Sequence, residues 1–164
     1  MARTSIGLFG LLIGAALCVP ALAGANEKTA ANAILGRWIT AKDISNVEIS
    51  RCGENYCGKI VSLKEPTYGK GDPEEGKPQH DRENPDDTLK ARPLIGLPLL
   101  EGFTYEGDGT WDDGTIYDPE SGKTYKCVIR IADGGKTLNV RGFIGFSLLG
   151  RTTVWKRVET PEKK

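Results

Sequence analysis

The chain has 164 residues with 22 basic and 22 acidic side chains, so its formal net charge is zero. That balance excludes the basic footprint of a nucleic-acid binder, and the length excludes two domains with separate cores. Glycine is abundant, at 21 residues, which suits a chain of many turns and bulges.

Residues 1–23 read as a cleaved secretory signal. Arg3 supplies the positive start, Ile6 to Val19 is almost wholly apolar, and Ala21-Leu22-Ala23 is a small-x-small cleavage site. A lipid anchor through Cys18 would need a small residue before it, and Leu17 is not one. The apolar run is too short to cross a bilayer, and no later stretch approaches the roughly 20 apolar residues a span requires. The expected product is a periplasmic or secreted chain of 141 residues that does not span the membrane.

Residues 24–35 are alanine-rich and predict a short N-terminal helix that stops at Gly36 and closes one barrel end. Residues 36–158 read as a single β domain. Arg37 to Ala41 is the first strand, and Val47 and Ile49 alternate with polar neighbours to give a half-buried second. Cys52 and Cys57 bracket the turn Gly53-Glu54-Asn55-Tyr56. In an oxidising compartment, opposed hairpin positions suit a structural disulfide. Zinc would need more ligands than one cysteine pair and the lone His80, and a redox pair would be spaced C-x-x-C. No metal or cofactor is expected. Gly58 to Leu63 forms the third strand.

Residues 64–88 contain no aliphatic side chain, only charge, proline and glycine around Tyr68. Loops of this length inside a compact domain are functional or disordered. Glu65 to Gln79 is expected to be mobile, whereas Asp81-Arg82-Glu83-Asn84-Pro85-Asp86 carries turn-forming side chains that favour local hydrogen bonds. Leu94 to Leu100 is then wholly apolar, with Pro98 pointing to an edge or bulged strand. Phe103 and Tyr105 start another strand, and others follow at Trp111–Tyr117, Lys123–Ile131, Leu138–Gly142 and Arg151–Val158, with turn signals at Gly107-Asp108-Gly109, Asp118–Gly122 and Asp133-Gly134-Gly135. Cys127 shares a face with Tyr125, Ile129 and Ile131, which predicts a buried thiol. The expected architecture is all-β, a small antiparallel up-and-down barrel of about eight strands, with a charged tail at 159–164.

Gly36-x-Trp38 at the start, with an arginine on the strand that holds Trp155, resembles the lipocalin and fatty-acid-binding pattern. That resemblance implies a guanidinium stacked on Trp38, with Arg157 the better candidate and Arg151 the second; strand parity, the same for both, does not settle the choice. Across almost the whole processed chain, the motifs Cys52-Gly53-x-x-x-Cys57-Gly58, Asp81-x-x-Asn84-Pro85-Asp86, Arg92-Pro93-Leu94-Ile95-Gly96, Ile116-Tyr117-Asp118-Pro119, Gly122-Lys123-x-Tyr125, Arg141-Gly142 and Gly150-Arg151-Thr152-x-x-Trp155-x-Arg157 resemble the bacterial family known as domain of unknown function 2147. This second resemblance implies an exported, lipocalin-like barrel and no activity.

No catalytic constellation stands out: there is no G-x-S-x-G elbow, and His80 lies among loop residues where an exposed side chain is expected. The acidic residues at 81–87 offer hard oxygen ligands, but their spacing fits Asx turns better than a calcium loop. Arg92 is expected either to pin the loop through Asp81 or Asp86, or to present donors to an anionic head. Arg141 points into the barrel only if Leu138 and Val140 point out. Leu94 to Leu100 and Phe143 to Leu149 are both apolar and glycine-hinged. If they flank one opening, Leu94, Leu97, Phe143 and Phe146 form its rim, and Asn84, Arg92 and Tyr117 its polar anchors. Two functions follow. One is a binding module for a small apolar or amphipathic molecule; the other is an envelope module that docks a protein partner, its lumen filled. A carboxylate enzyme is the weakest reading.

Overall fold

A computed structural model describes residues 21–145 and 148–159, the side chains of 21–25 excepted. The signal reading lies outside the described residues, save that Ala21–Ala23 open helix α1 (Ala21–Ala31). Phe146 lies outside them too, as does the tail beyond Glu159. Eight strands follow: β1 (Gly36–Ile39), β2 (Ser45–Cys52), β3 (Asn55–Leu63), β4 (Pro98–Gly107), β5 (Thr110–Asp118), β6 (Lys123–Ala132), β7 (Thr137–Phe143) and β8 (Gly150–Arg157). Each pairs antiparallel with the next, and β1 pairs with β8 through Trp38↔Arg157 and Ile39↔Lys156, closing the barrel.

The turns follow from the residues that build them. Asp108 and Gly109 both take positive φ, 46° and 65°, in the two-residue turn that joins β4 to β5, the geometry that matches strand twist. The disulfide Cys52–Cys57 spans the β2–β3 hairpin with Cα atoms 5.8 Å apart. The two cysteines are diagonal rather than opposed, since Cys57 faces Ser50 and Cys52 faces Asn55. The end of the apolar segment, from Pro98, and the strand expected at Phe103 are one strand: β4 starts at Pro98, which needs no ladder donor there, and bends at Gly102, where φ is 78°.

Alternation puts Val47, Ile49, Leu138 and Val140 inside, each 3 % exposed or less. The lumen is packed. A Cβ on Gly114 would lie 2.4 Å from the Phe103 ring, and one on Gly58 would lie 3.0 Å from both Leu100 and Val47, so large neighbours occupy both glycine notches. Trp38, Tyr56, Phe103 and Trp111 are 2 % exposed or less, and burying each such side chain contributes about 1.5–3 kcal/mol. Because the aliphatic face of β7 points in, Arg141 is outside, donating to Thr152 Oγ1 at 3.1 Å. It is no lumen anchor.

The two ends differ. At one, α1 and the short 3₁₀ turn after it seal the barrel: Trp111 Nε1 donates to Ala31 O at 3.2 Å and Trp38 Nε1 to Ile34 O at 2.8 Å. Arg157 stacks 4.0 Å over the Trp38 ring and donates to the carbonyls of Leu35, Ala33 and Gly135. Arg157 is therefore the covering guanidinium, while Arg151, on the same face but at the opposite end of β8, is exposed. At that opposite end, the mouth, lie the connections 40–44, 64–97, 119–122 and 144–149.

Candidate functional site

Residues 64–97 have almost no apolar material for a core until Leu94, yet they fold over the mouth through polar contacts. Tyr68 is the exception, 8 % exposed. Its hydroxyl donates to His80 O and accepts from His80 N, its ring meets the imidazole edge-on at 5.6 Å, and Arg82 lies 4.4 Å over it while bonding both oxygens of Asp72. His80 is not an exposed loop histidine. Its Nδ1 lies 2.6 Å from Lys90 O and its Nε2 2.7 Å from Glu74 Oε2. Two acceptors facing two ring nitrogens are both satisfied only by imidazolium. The Lys90 carbonyl first, and then Glu74, raise its pKa, while the same contact lowers that of Glu74. The stretch expected to be mobile thus carries the bonds of an ordered loop, including Tyr68 N to Lys77 O and Gln79 N to Pro66 O.

One residue along, Asp81 is wholly buried. Its Oδ1 accepts from Tyr117 Oη at 2.6 Å, and its Oδ2 accepts from Arg92 Nε at 2.8 Å and Asn84 Nδ2 at 2.7 Å. Asn84 Nδ2 also reaches Tyr117 Oη at 3.2 Å. Burial, then the bond to Asp81, pushes the Tyr117 pKa up. The hub ties the loop to the barrel wall, and backbone bonds Asp81 N to Arg92 O and Asn84 N to Asp81 O set its shape. Gly122, at φ 67° in the β5–β6 turn, packs so closely that any Cβ would collide with the Glu83 carbonyl. A buried carboxylate with three donors fixes geometry more than it adds stability.

Asn84, Arg92 and Tyr117 were expected to meet at the barrel opening; they do meet, but outside the lumen. Ile116 sits on the inner face, near Gly142 and Tyr125. Its neighbour Tyr117 therefore points outward, as do Thr115 and its partner Glu101. Between this outer wall and the loop lies a cleft of about 250 Å³, with Arg92 and Asn84 on the loop side, Pro85, Pro98 and Leu99 as apolar floor, and Glu101, Thr115 and Thr124 on the wall. A second, shallower cleft of about 420 Å³ lies at the sealed end beside Arg51 and Tyr56. The first lies outside the barrel interior.

The apolar rim is not formed as expected. Leu97 is 2 % exposed, part of the core, and Leu94 is half-buried against it. Phe143 is half-buried at the end of β7. Cys127 is free and buried, its thiol pushed up to about 12 by burial. Among the described residues, no three His, Cys, Asp or Glu side chains gather as a metal cluster, and no helix is long and apolar enough to cross a membrane. Sequence reasoning missed the wall residues Glu101, Thr115 and Thr124 and the Tyr68–His80–Arg82 stack. The stretch Thr-Tyr-Gly at 67–69, an aromatic isolated among charges, was the one available signal for the stack.

Comparison with known proteins fits this geometry. A family described as "Uncharacterized protein conserved in bacteria (DUF2147)" matches residues 36–157. Among solved structures, the chain is similar to one described as "Protein HP1028 from the human pathogen Helicobacter pylori belongs to the lipocalin family", with a TM-score of 0.66 and 22 % identity, covering 79 % of this chain and 85 % of that one. The likeness is one of fold. No curated protein matches.

Proposed function

The chain belongs to the bacterial DUF2147 family and has an eight-stranded, lipocalin-like barrel, and from that premise we propose that it is an exported binding module whose ligand sits outside the lumen, in the cleft under the 64–97 loop. The observation that carries this reading is the convergence of Asn84, Arg92 and Tyr117 on one buried carboxylate at the edge of that cleft. Asp81 holds Arg92 through Nε and leaves its Nη groups as donors for a ligand, with the side chain one-third exposed. Glu101 is exposed across the cleft and offers an acceptor. Pro85, Pro98 and Leu99 accommodate apolar surface. The matching ligand is a small amphipathic molecule whose head presents an acceptor to Arg92 and a donor to Glu101. Preorganised polar groups over an apolar floor are the usual makeup of such sites.

The packed lumen favours one rival, an envelope module that docks a protein partner. Fluorescence binding of anilinonaphthalene sulfonate, an amphipathic anion, separates the two. Thr124 is exposed and lines the cleft, so Thr124→Trp fills the site without touching the core. The expected result is binding weakened by about tenfold or more at an unchanged melting temperature. Equal binding by both proteins, or none by either, refutes the cleft as the site.

A further inference from the structure

Apart from Val154 on the outside of β8, the exposed large apolar side chains of the described residues all belong to connections at the mouth. The most exposed are three from the β7–β8 connection: Ile144 at 68 %, Leu148 at 89 % and Leu149 at 77 %. A single exposed aliphatic residue needs no explanation, but three on one short connection do.

The charge along the three strands that carry this tip, β6 to β8, is one-sided. From Lys123 to Val158 the only acidic residue is Asp133, against eight Lys and Arg, although the whole chain is neutral. Asp133 lies at the sealed end, between β6 and β7. The cations nearest the tip are placed by register: Lys126 pairs with Phe143, and Arg151 with Gly142, one and two residues from Ile144. Both are exposed. Arg141 braces the far leg of the connection, its Nη2 lying 3.4 Å from Leu148 O.

We propose that the tip of Ile144, Leu148 and Leu149, with its collar of Lys126 and Arg151, docks the mouth end of the barrel on an anionic lipid bilayer. Aliphatic side chains enter the acyl boundary while the collar stays level with the phosphates, the pattern of proteins that lie on a membrane without crossing it. A second copy fits less well, because a two-fold interface would set the two basic collars against each other. A protein partner fits less well too, since interface cores are depleted in lysine. The docking is independent of the cleft.

Co-sedimentation with vesicles tests it, using full-length wild type and variants with the same N-terminus. The expected result is binding to phosphatidylcholine vesicles containing phosphatidylglycerol, little binding to phosphatidylcholine alone, and release by salt. Replacing both exposed leucines, Leu148→Asp with Leu149→Asp, should abolish binding at an unchanged melting temperature. Arg151→Glu should weaken it by roughly tenfold. Equal binding to neutral vesicles, or binding that survives the leucine changes, overturns the proposal. So does a dimer in sedimentation equilibrium that Leu148→Asp dissolves, which would make a second copy the occupant.

Discussion

At the sealed end, Trp38 and Trp111 are fully buried and continuous with the aromatic and aliphatic core, their indole N–H groups finishing on backbone carbonyls of the capping segment. At the mouth, Asp81 is just as buried, but its neighbours are Arg92, Asn84 and Tyr117, with the Tyr68–His80 stack beside it. One end gains free energy by removing apolar area from water; the other mainly specifies a shape, because three donors only offset the cost of burying a carboxylate. The contrast implies that damage at the sealed end spreads through the whole barrel, whereas damage at the mouth stays in the loop.

Four changes probe that contrast. Trp38→Ala removes the largest side chain at the β1–β8 join and the platform for Arg157, and should cost about 3–5 kcal/mol in urea denaturation with all strands unfolding together. A loss confined to β1 and β8 would mean the join is not part of one cooperative core. Asp81→Asn should cost about 2–3 kcal/mol locally, a figure held down by the partial exposure of Arg92. Hydrogen exchange should rise across residues 65–97 and stay unchanged at Leu138 and Val140; a uniform rise would erase the distinction between the ends. Replacing Cys52 and Cys57 by alanine, at the sealed-end hairpin, should lower global stability by about 2 kcal/mol, read as a lower midpoint in the same denaturation.

The smallest effect concerns pH. His80 has a raised pKa in the folded loop, so the stability it contributes is fully present below its ordinary value of 6.5 and is lost as pH rises through the raised value. Glu74 has a lowered pKa, so its share is present above the ordinary 4.5 and is lost as pH falls through the lowered value. The loop should therefore exchange slowest between those limits, once intrinsic exchange rates are removed. His80→Gln should remove the loss on the alkaline side; a wild-type profile that stays flat as pH rises from 6.5 through the raised value would contradict the imidazolium geometry.

These two ends also differ in what their residues disclosed in advance. Val47 with Ile49 and Leu138 with Val140 alternate plainly, and the turns at Gly107-Asp108-Gly109 and Asp118–Gly122 carry their own chemistry, so the barrel was legible. The covering arginine was legible only as a ranking, Arg157 before Arg151, because the two share a strand face and only the position of the sealed end separates them. In the loop, periodicity had nothing to report. Its organising bond joins Asp81 to Tyr117 across 36 positions of sequence, and Arg92 was legible only as two alternatives, a partner for Asp81 or Asp86 or a donor to an anionic head. The outward direction of Tyr117, which moves the candidate site from the lumen to the outer wall, depends on where Ile116 packs. That is a tertiary fact. Likewise, nothing in the pattern of Leu97 distinguished a rim from a core residue.

An amide-resolved NMR titration with anilinonaphthalene sulfonate would locate the ligand relative to the barrel wall. The filled lumen and the outer cleft together predict shifts at Asn84, Arg92, Thr115, Tyr117 and Thr124, with Val47, Ile49 and Val140 still. Shifts concentrated at those three inward-facing residues would place the ligand inside the barrel and contradict the account.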